Sequence, residues 1–388
     1  MRCCLKSFSA IVFAFLLAVF SLICSAAPAQ YNQNHVVADY ENSNSKASGN
    51  YYNRCGKALD GTAGNADLCI PGLSSEDDMV PQGIAVYKEM NAVLISAYSH
   101  ADRGSVIFAL DRTTGNVIAE YHIYRASGNT ANSHFGGIAV SRYNLYIADY
   151  NSTISYIPLS ALNVKDGSSV DLTISGTADA AAFMNGANTS FAGADAGMLW
   201  TGNFYHEGNS SYDRRASEES GAVLLCFPLS GGSSEEEWSN LTNGGDFITP
   251  AHTLHIPDSI SDVQGAYLTN DKAYLSASYG RNADGTLWIA DVDYDAGQVI
   301  KKNTASVSAL PACEDVDIID GRLYTLSESA CYHYMGGDGE KPAKKPFDTI
   351  WEIDIDALTG TIRTGIRGLF QRIIQFFRNL ISRLKGLF

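Results

Sequence analysis

One phrase, repeated, constrains this chain more than any other feature. The stretch VQGAYLTNDKAYLSASYGR, residues 263–281, holds two short apolar runs around a polar turn. Period-two alternation with β-branched and aromatic residues marks strands. The first run has counterparts in PQGIAVY at Pro81, FGGIAVS at Phe135, FAGADAG at Phe191 and CEDVDII at Cys313. The second has counterparts in AVLISAY at Ala92, NLYIADY at Asn144, MLWTGNF at Met198 and RLYTLSE at Arg322. A third run follows in every copy, from SVIFALD at Ser105 to TIWEIDI at Thr349, and a turn such as RTTGN leads to a weaker fourth. Five copies are visible at a spacing of roughly 50 residues, the signature of a β-propeller. A lone unit cannot bury its apolar residues, whereas blades packed around an axis can. The pattern therefore predicts an all-β protein, a β-propeller over residues 79–360 with five four-stranded blades visible. The competing β-sandwich is disfavoured because the phrase recurs in register through three strands. Residues 30–78 form a loop-rich segment that adds either a closing strand or part of a sixth blade. The last copy takes its fourth strand from either TIRTGI or HVVADY.

The ends of the chain differ from the body. Residues 1–29 carry Arg2 and Lys6, an apolar run and a small-residue APA segment, the layout of a secretory signal. Residues 361–388 predict an amphipathic helix. Ile366, Leu369, Phe370, Ile373 and Phe377 fall on one face, and Arg367, Arg378 and Lys385 lie largely opposite. That composition suits an interfacial membrane binder, with docking on the chain's own acidic body as the other reading. Of the 27 basic residues the two ends hold eight and none of the 42 acids, so the body has 19 basic residues and a net charge of −23. Such a body repels nucleic acid and suits cations or a solvated extracellular surface. The expectation is a secreted, extracellular protein, peripheral to the cell surface, with its oligomeric state open.

Propeller geometry sends the start of each first strand and the end of each second strand to one face near the axis. The starts carry Gln82, Gly136 with His134 before it, Ala192, Gln264 and Glu314. The ends carry Ala97, Asp149, Asn203, Ser278 and Glu328. Long loops after the second strand of the third and fifth copies crowd the same face, bringing His206 and His333, while Arg281 follows the fourth. A concave mouth lined by loops on a rigid scaffold is the default ligand site. Glu314, Glu328, Asp149 and Asn203 form an all-oxygen set suited to Ca²⁺, and Gln82, His134, Gln264, Ser278, Arg281 and His206 are candidate binding residues. The other reading of this ring is a hydrogen-bonded plug that keeps the blades in register. DVDYDAG, residues 291–297, looks like a calcium loop but has Lys302 at its twelfth position, and reads as an acidic hairpin turn.

Export makes disulfides plausible. Cys55 and Cys69 bracket a short Gly-rich loop, Cys313 and Cys331 bracket a hairpin, and Cys226 sits in an apolar strand as a buried thiol.

CIPGL, VPQGIAV, GGIAV, WTGNFYH, VQGAYLT, SASYGR, PACEDVDI and LSES together resemble a family of secreted bacterial β-propeller-like proteins. The resemblance covers residues 55–356 and implies fold and export; the family has no established activity. More distantly the layout is similar to gluconolactonase- and lactonase-like propellers, which hold a divalent cation at the axial mouth. That similarity implies Glu314, Asn203 and Asp149 as ligands, although the other ring positions are Gln, Gly or Ala here. Three functions follow for testing. One is a secreted propeller that binds a small molecule or glycan at its mouth, with or without a divalent cation. Another is a metal-dependent lactone or ester hydrolase. The last is a polysaccharide hydrolase using Asp149, Asp195 and Glu314.

Overall fold

The computed structural model describes residues 68–355 apart from 75–76, 101–103, 150–151, 164–165, 181–182, 196, 210, 212–213 and 345. Residues 68–354 belong to one compact unit, Tyr31–Asp354. The expected secretory signal, Cys55, both TIRTGI and HVVADY, and the expected amphipathic tail lie outside the described residues.

Each copy of the phrase folds as an antiparallel meander. The first is β1 (Met79–Tyr87), β2 (Ala92–Ser99), β3 (Ser105–Asp111) and β4 (Val117–Tyr124). The second is β5 (Gly137–Val140), β6 (Asn144–Asp149), β7 (Thr153–Pro158) and β9 (Gly176–Asp179). Between β7 and β9 the chain crosses over, and β8 (Ser168–Thr173) pairs in parallel with β4 of the first meander. The third meander is β10 (Phe191–Asp195), β11 (Met198–Gly202), β12 (Ala222–Pro228) and β13 (His252–Ile256), with helix α1 (Ser234–Thr242) inserted before β13. The fourth is β14 (Val263–Leu268), β15 (Lys272–Ala277), β16 (Gly285–Asp293) and β17 (Gln298–Ala309), joined to β13 by one parallel pair. Three strands form the last: β18 (Cys313–Ile319), β19 (Arg322–Ser327) and β20 (Trp351–Asp354). The first strands stand side by side, β1 on β5, β5 on β10, β10 on β14 and β14 on β18, and β18 returns to β1. The result is an all-β propeller.

The alternation in the sequence is what fills the space between blades. In β2, Val93 and Ile95 join an apolar cluster with Tyr324, Leu326 and Ile350 of the last meander. Their neighbours Ala92 and Leu94 face the other way, into a cluster with Ile138, Leu145 and Ile147 of the second. β6 repeats the division, its Tyr146 and Ala148 packing with Leu199, Val223 and Leu225 of the third. Successive strand residues point to opposite faces, so a run that is apolar throughout serves two interfaces. Outer strands have one such face, and β4 alternates buried with half-buried residues.

Local chemistry sets the turns. Asp320 and Gly321, both at positive φ, join β18 to β19 as a two-residue hairpin. The Asp111 carboxylate accepts from the backbone N–H of Thr113 and Thr114, which closes the RTTGN turn. DVDYDAG is a hairpin turn too: Asp293 Oδ1 accepts from Ala296 N at 2.8 Å, and β17 starts at Gln298. The stretch at residues 68–70 pairs antiparallel with 348–350, through Ile70 N to Asp348 O at 2.8 Å and Ile350 N to Leu68 O at 2.7 Å. It therefore ties the last meander to the segment that enters β1.

The expected Cys313–Cys331 disulfide is not formed. Both are buried free thiols, as are Cys69 and Cys226 among the described residues, and the expected partner of Cys69, Cys55, lies outside them. Cys313 faces the fourth meander, with Sγ 3.8 Å from Ala277 O. Cys331 packs in the cluster shared with the first. The two side chains serve opposite faces of the last blade.

Around the axis the inner strands approach so closely that a Cβ has no room. At Gly83 a Cβ would lie 2.6 Å from Ser96 Oγ and 2.7 Å from Ile138 N of the next blade. At Gly137 it would overlap Phe191 and Ala192, and at Gly265 it would stand 2.5 Å from Asp315 Cα. Gly193 makes room for the Trp200 indole, whose Nε1 donates to Ala266 O at 2.7 Å across the next interface. Gly137→Ala should therefore cost about 3 kcal/mol, the scale of overpacking in a close-packed core. Gly197→Ala, at a hairpin with open space around it, should be near neutral. Equal denaturation midpoints for the two variants would contradict the close approach.

Candidate functional site

The face to which the sequence sends its polar ends holds a cavity of about 680 Å³. Gln82, Gln264 and Glu314 line it from the starts of inner strands, and Tyr98, Asp149 and Glu328 from the ends of second strands. Phe204, Arg214, Tyr279, Arg281 and Tyr334 reach it from the loops that follow second strands.

Two carboxyl groups dominate the cup. Glu314 sits in the bulge of β18 and is 3% exposed. Burial holds its carboxyl well above the usual range, and the charges of Glu328 and Asp315 add to this. No described residue hydrogen-bonds to that carboxyl. Glu328 is better supported: Gln82 Nε2 donates to Oε2 at 2.9 Å, and Tyr334 adds a second bond. Burial still pushes Glu328 up to about 8, against the pull of those bonds and of Arg281. The pair thus retains a proton near neutral pH.

Below Glu314 the same strand carries Asp315 and Asp317. Asp315 Oδ2 accepts from Ile84 N at 3.4 Å and Asp317 Oδ2 from Val86 N at 2.6 Å, both on β1. Burial lifts both acids, Asp317 to about 6. These two close the ring and lie outside the cup's lining.

The expected cation set does not assemble. Asp149 forms a two-pronged ion pair with Arg125 and accepts from Ser133 Oγ at 2.6 Å and Ser155 Oγ at 3.1 Å. Asn203 is fully buried in its own blade, its Oδ1 accepting from Val223 N at 2.9 Å and its Nδ2 donating to Gly221 O at 3.0 Å. Glu314 and Glu328 remain together without them. Among the described residues no group of three His, Cys, Asp or Glu side chains is placed to hold a metal ion. A calcium site as drawn from the sequence does not fit these donors. Asp195, the third member of the glycosidase set, ends β10 at its hairpin with β11. It stands roughly 13 Å along the strand from the mouth, at about 3.3 Å per residue.

The other candidates divide between lining and framework. Gln264 lines the cup with its carboxamide unbonded among the described residues. His134 lines it with its ring stacked on Tyr98, centroids 4.1 Å apart. Arg281 lines it too, but donates to Asp338 Oδ2 at 2.5 Å and to Tyr334 O at 3.2 Å. Ser278 is framework: its hydroxyl donates to Cys313 O at 2.8 Å across a blade interface. His206 stands behind the rim, stacked on Tyr279 and bonded through Nδ1 to Asp262 Oδ1 at 2.5 Å. Sequence reasoning missed the aromatic wall of Tyr98, Phe204, Tyr279 and Tyr334. Tyr98 lies at the end of β2 and the other three follow the ends of second strands, so the rule that found Glu328, extended by a few residues, also finds them.

No family model matches this chain, and no curated protein does. Solved structures are similar at low identity. A glutaminyl cyclase of Myxococcus xanthus is 9% identical with a TM-score of 0.39, over 71% of this chain and 90% of that one. A GH43_1 enzyme of Xanthomonas citri is 11% identical with a TM-score of 0.40, over 76% and 92%. BamB of Moraxella catarrhalis is 10% identical with a TM-score of 0.28, over 64% and 82%. Scores of this size carry no weight on their own, and the propeller is read from its strand contacts.

An acid whose pKa is raised by folding binds more protons in the native state, so stability falls as pH rises between its unfolded and folded values. For Glu328 that window runs from 4.5 to about 8. The full shift would be worth more, but water in the open cup screens it, leaving a loss on the order of 2 kcal/mol. Urea denaturation at pH 5 and pH 8.5 should show this loss in the native chain and a smaller one in Glu328→Gln. Equal losses would show that Glu328 titrates normally.

Proposed function

We propose that this protein is a five-bladed ligand-binding propeller whose axial cup takes a small molecule or one residue of a glycan. The observation that carries the reading is Glu314: a buried carboxyl in the wall of an open cavity, with no hydrogen-bond partner among the described residues. Its oxygens face the open cup rather than a sealed interior, whereas a plug that served only to hold blades together would give them a protein partner. Asp149 and Asn203 do satisfy that description, which separates framework from site within one ring of positions. Aromatic faces and the free Gln264 carboxamide supply the apolar contact and orienting polar groups typical of ligand pockets. Binding without turnover is favoured over hydrolysis, because the lactonase and glycosidase ligand sets both lose members to the framework.

The protein is also read as exported, with its tail at residues 361–388 lying on a membrane surface; the basic, apolar-run signal and the amphipathic pattern support this. Cleavage at the APA segment gives a secreted form beginning at Gln30. A truncation ending at Gly360 should lose binding to anionic liposomes, and unchanged binding rejects the membrane role.

The cup itself is tested by filling it. Saturation-transfer NMR with xylose, glucose, glucosamine and 2-phenylethylammonium should give contacts for at least one probe. Gln264→Trp, which places a large ring in the mouth, should weaken that contact at least tenfold while leaving thermal stability unchanged. Undiminished contact in the variant would remove the cup as the binding site.

A further inference from the structure

We propose that the ligand of the cup carries a primary ammonium group, which docks between Glu314 and Glu328. The inference rests on the cup reading above and names the chemistry of its ligand.

The argument begins with what the pair lacks. An ionised carboxylate only accepts hydrogen bonds. Glu328 has donors in Gln82 and Tyr334, whereas Glu314 has none among the described residues. The three arginines around the cup are committed elsewhere. Arg281 bonds Asp338 and Tyr334 O, Arg125 holds Asp149, and Arg214 donates to Gly186 O at 2.8 Å. The site therefore presents one buried and one half-buried acid, and none of the described residues donates to the Glu314 carboxyl. A primary ammonium supplies three N–H donors and the missing positive charge in one compact group.

The walls suit the same class. Tyr98 and Tyr334 hydrogen-bond to each other beside Glu328, and both feel its charge. Aromatic faces next to a carboxylate attract a cation further and give its carbon skeleton an apolar seat. On the larger scale the chain has a net charge of −15, which draws cations toward it. A neutral hydroxyl could accept a hydrogen bond from the protonated member of the pair, but it would leave Glu314 and Glu328 with no counter-charge. A hard divalent ion wants six to eight oxygen ligands, and the described residues offer no group of three acids or histidines.

Ammonium binding drives the pair to ionise, so the proton it retains near neutral pH leaves for the solvent. No covalent bond changes. Titration calorimetry of the full chain at pH 7, in two buffers of different ionisation heat, measures that proton directly. The probes are 2-phenylethylammonium, its neutral isostere 2-phenylethanol, and calcium chloride. The expected result is saturable ammonium binding with release of a substantial fraction of one proton, and alcohol binding at least tenfold weaker. Glu314→Gln should lose tenfold or more in ammonium affinity and release less proton, whereas Glu120→Gln, on β4, should match the native chain. If Glu314→Gln does not fold, the proton release and the ammonium-to-alcohol ratio of the native chain still decide. Equal binding of alcohol and ammonium overturns the inference and leaves the cup standing. Calcium binding with proton release and no ammonium binding overturns it in favour of an inorganic cation. Ammonium binding unaffected by both Glu314→Gln and Gln264→Trp overturns the cup as well.

Discussion

The structure depends on how closely the inner strands pass one another around the axis. Gly83, Gly137 and Gly265 lie where a Cβ would strike backbone or side-chain atoms of a neighbouring blade. That spacing is tighter than side-chain packing permits, and it sets the radius of the cup. It also explains the third residue of the repeated phrase, a glycine in four copies. The fifth copy breaks the rule with Asp315, and there the seam is held in another way. Asp315 and Asp317 accept from backbone N–H groups of β1, so carboxylates replace the missing close approach and join the last blade to the first.

The same strand carries the site. Glu314 occupies the position before Asp315, where the bulge turns its side chain toward the mouth. The first and fourth copies have Gln82 and Gln264 there, and the second and third have Gly136 and Ala192. The position is common to all blades and its chemistry differs in each. Three acids on one short strand repel one another and resist burial. Two of them gain backbone hydrogen bonds in return. Glu314 gains none within the described residues, which is why it stands out as the group built for something else.

Much of this was legible in the sequence. The period-two runs and their recurrence gave strands, blades and the shared face, because alternation and repetition are properties of the chain itself. The DVDYDAG turn was readable too, because its acidic residues precede a glycine between two strand-like runs. Partner choice was not. Asp149 and Asn203 look like ligands by position, yet Asp149 is claimed by Arg125 from the preceding blade and Asn203 by the backbone of its own third strand. Cys313 and Cys331 bracket a hairpin in sequence but face opposite neighbours, since strand geometry sends their side chains to different interfaces. The crossover strand β8, which leaves its own blade to extend the first, has no signal in the repeat at all.

That division between framework and site has a physical basis. A polar residue at the axis must find a partner, and blade neighbours are the nearest source. Where a neighbour offers a guanidinium or a backbone N–H, the residue is absorbed into the scaffold and contributes order. Where the neighbour offers another carboxylate, both groups cannot ionise without a counter-charge, and the pair keeps a proton or takes a cation. Glu314 and Glu328 are in the second situation because they are the start and end residues of one blade, so they converge with no intervening blade to separate them. A repeat that places one acid per blade would spread its charge around the ring. Placing both in the last copy concentrates it on one side of the cup.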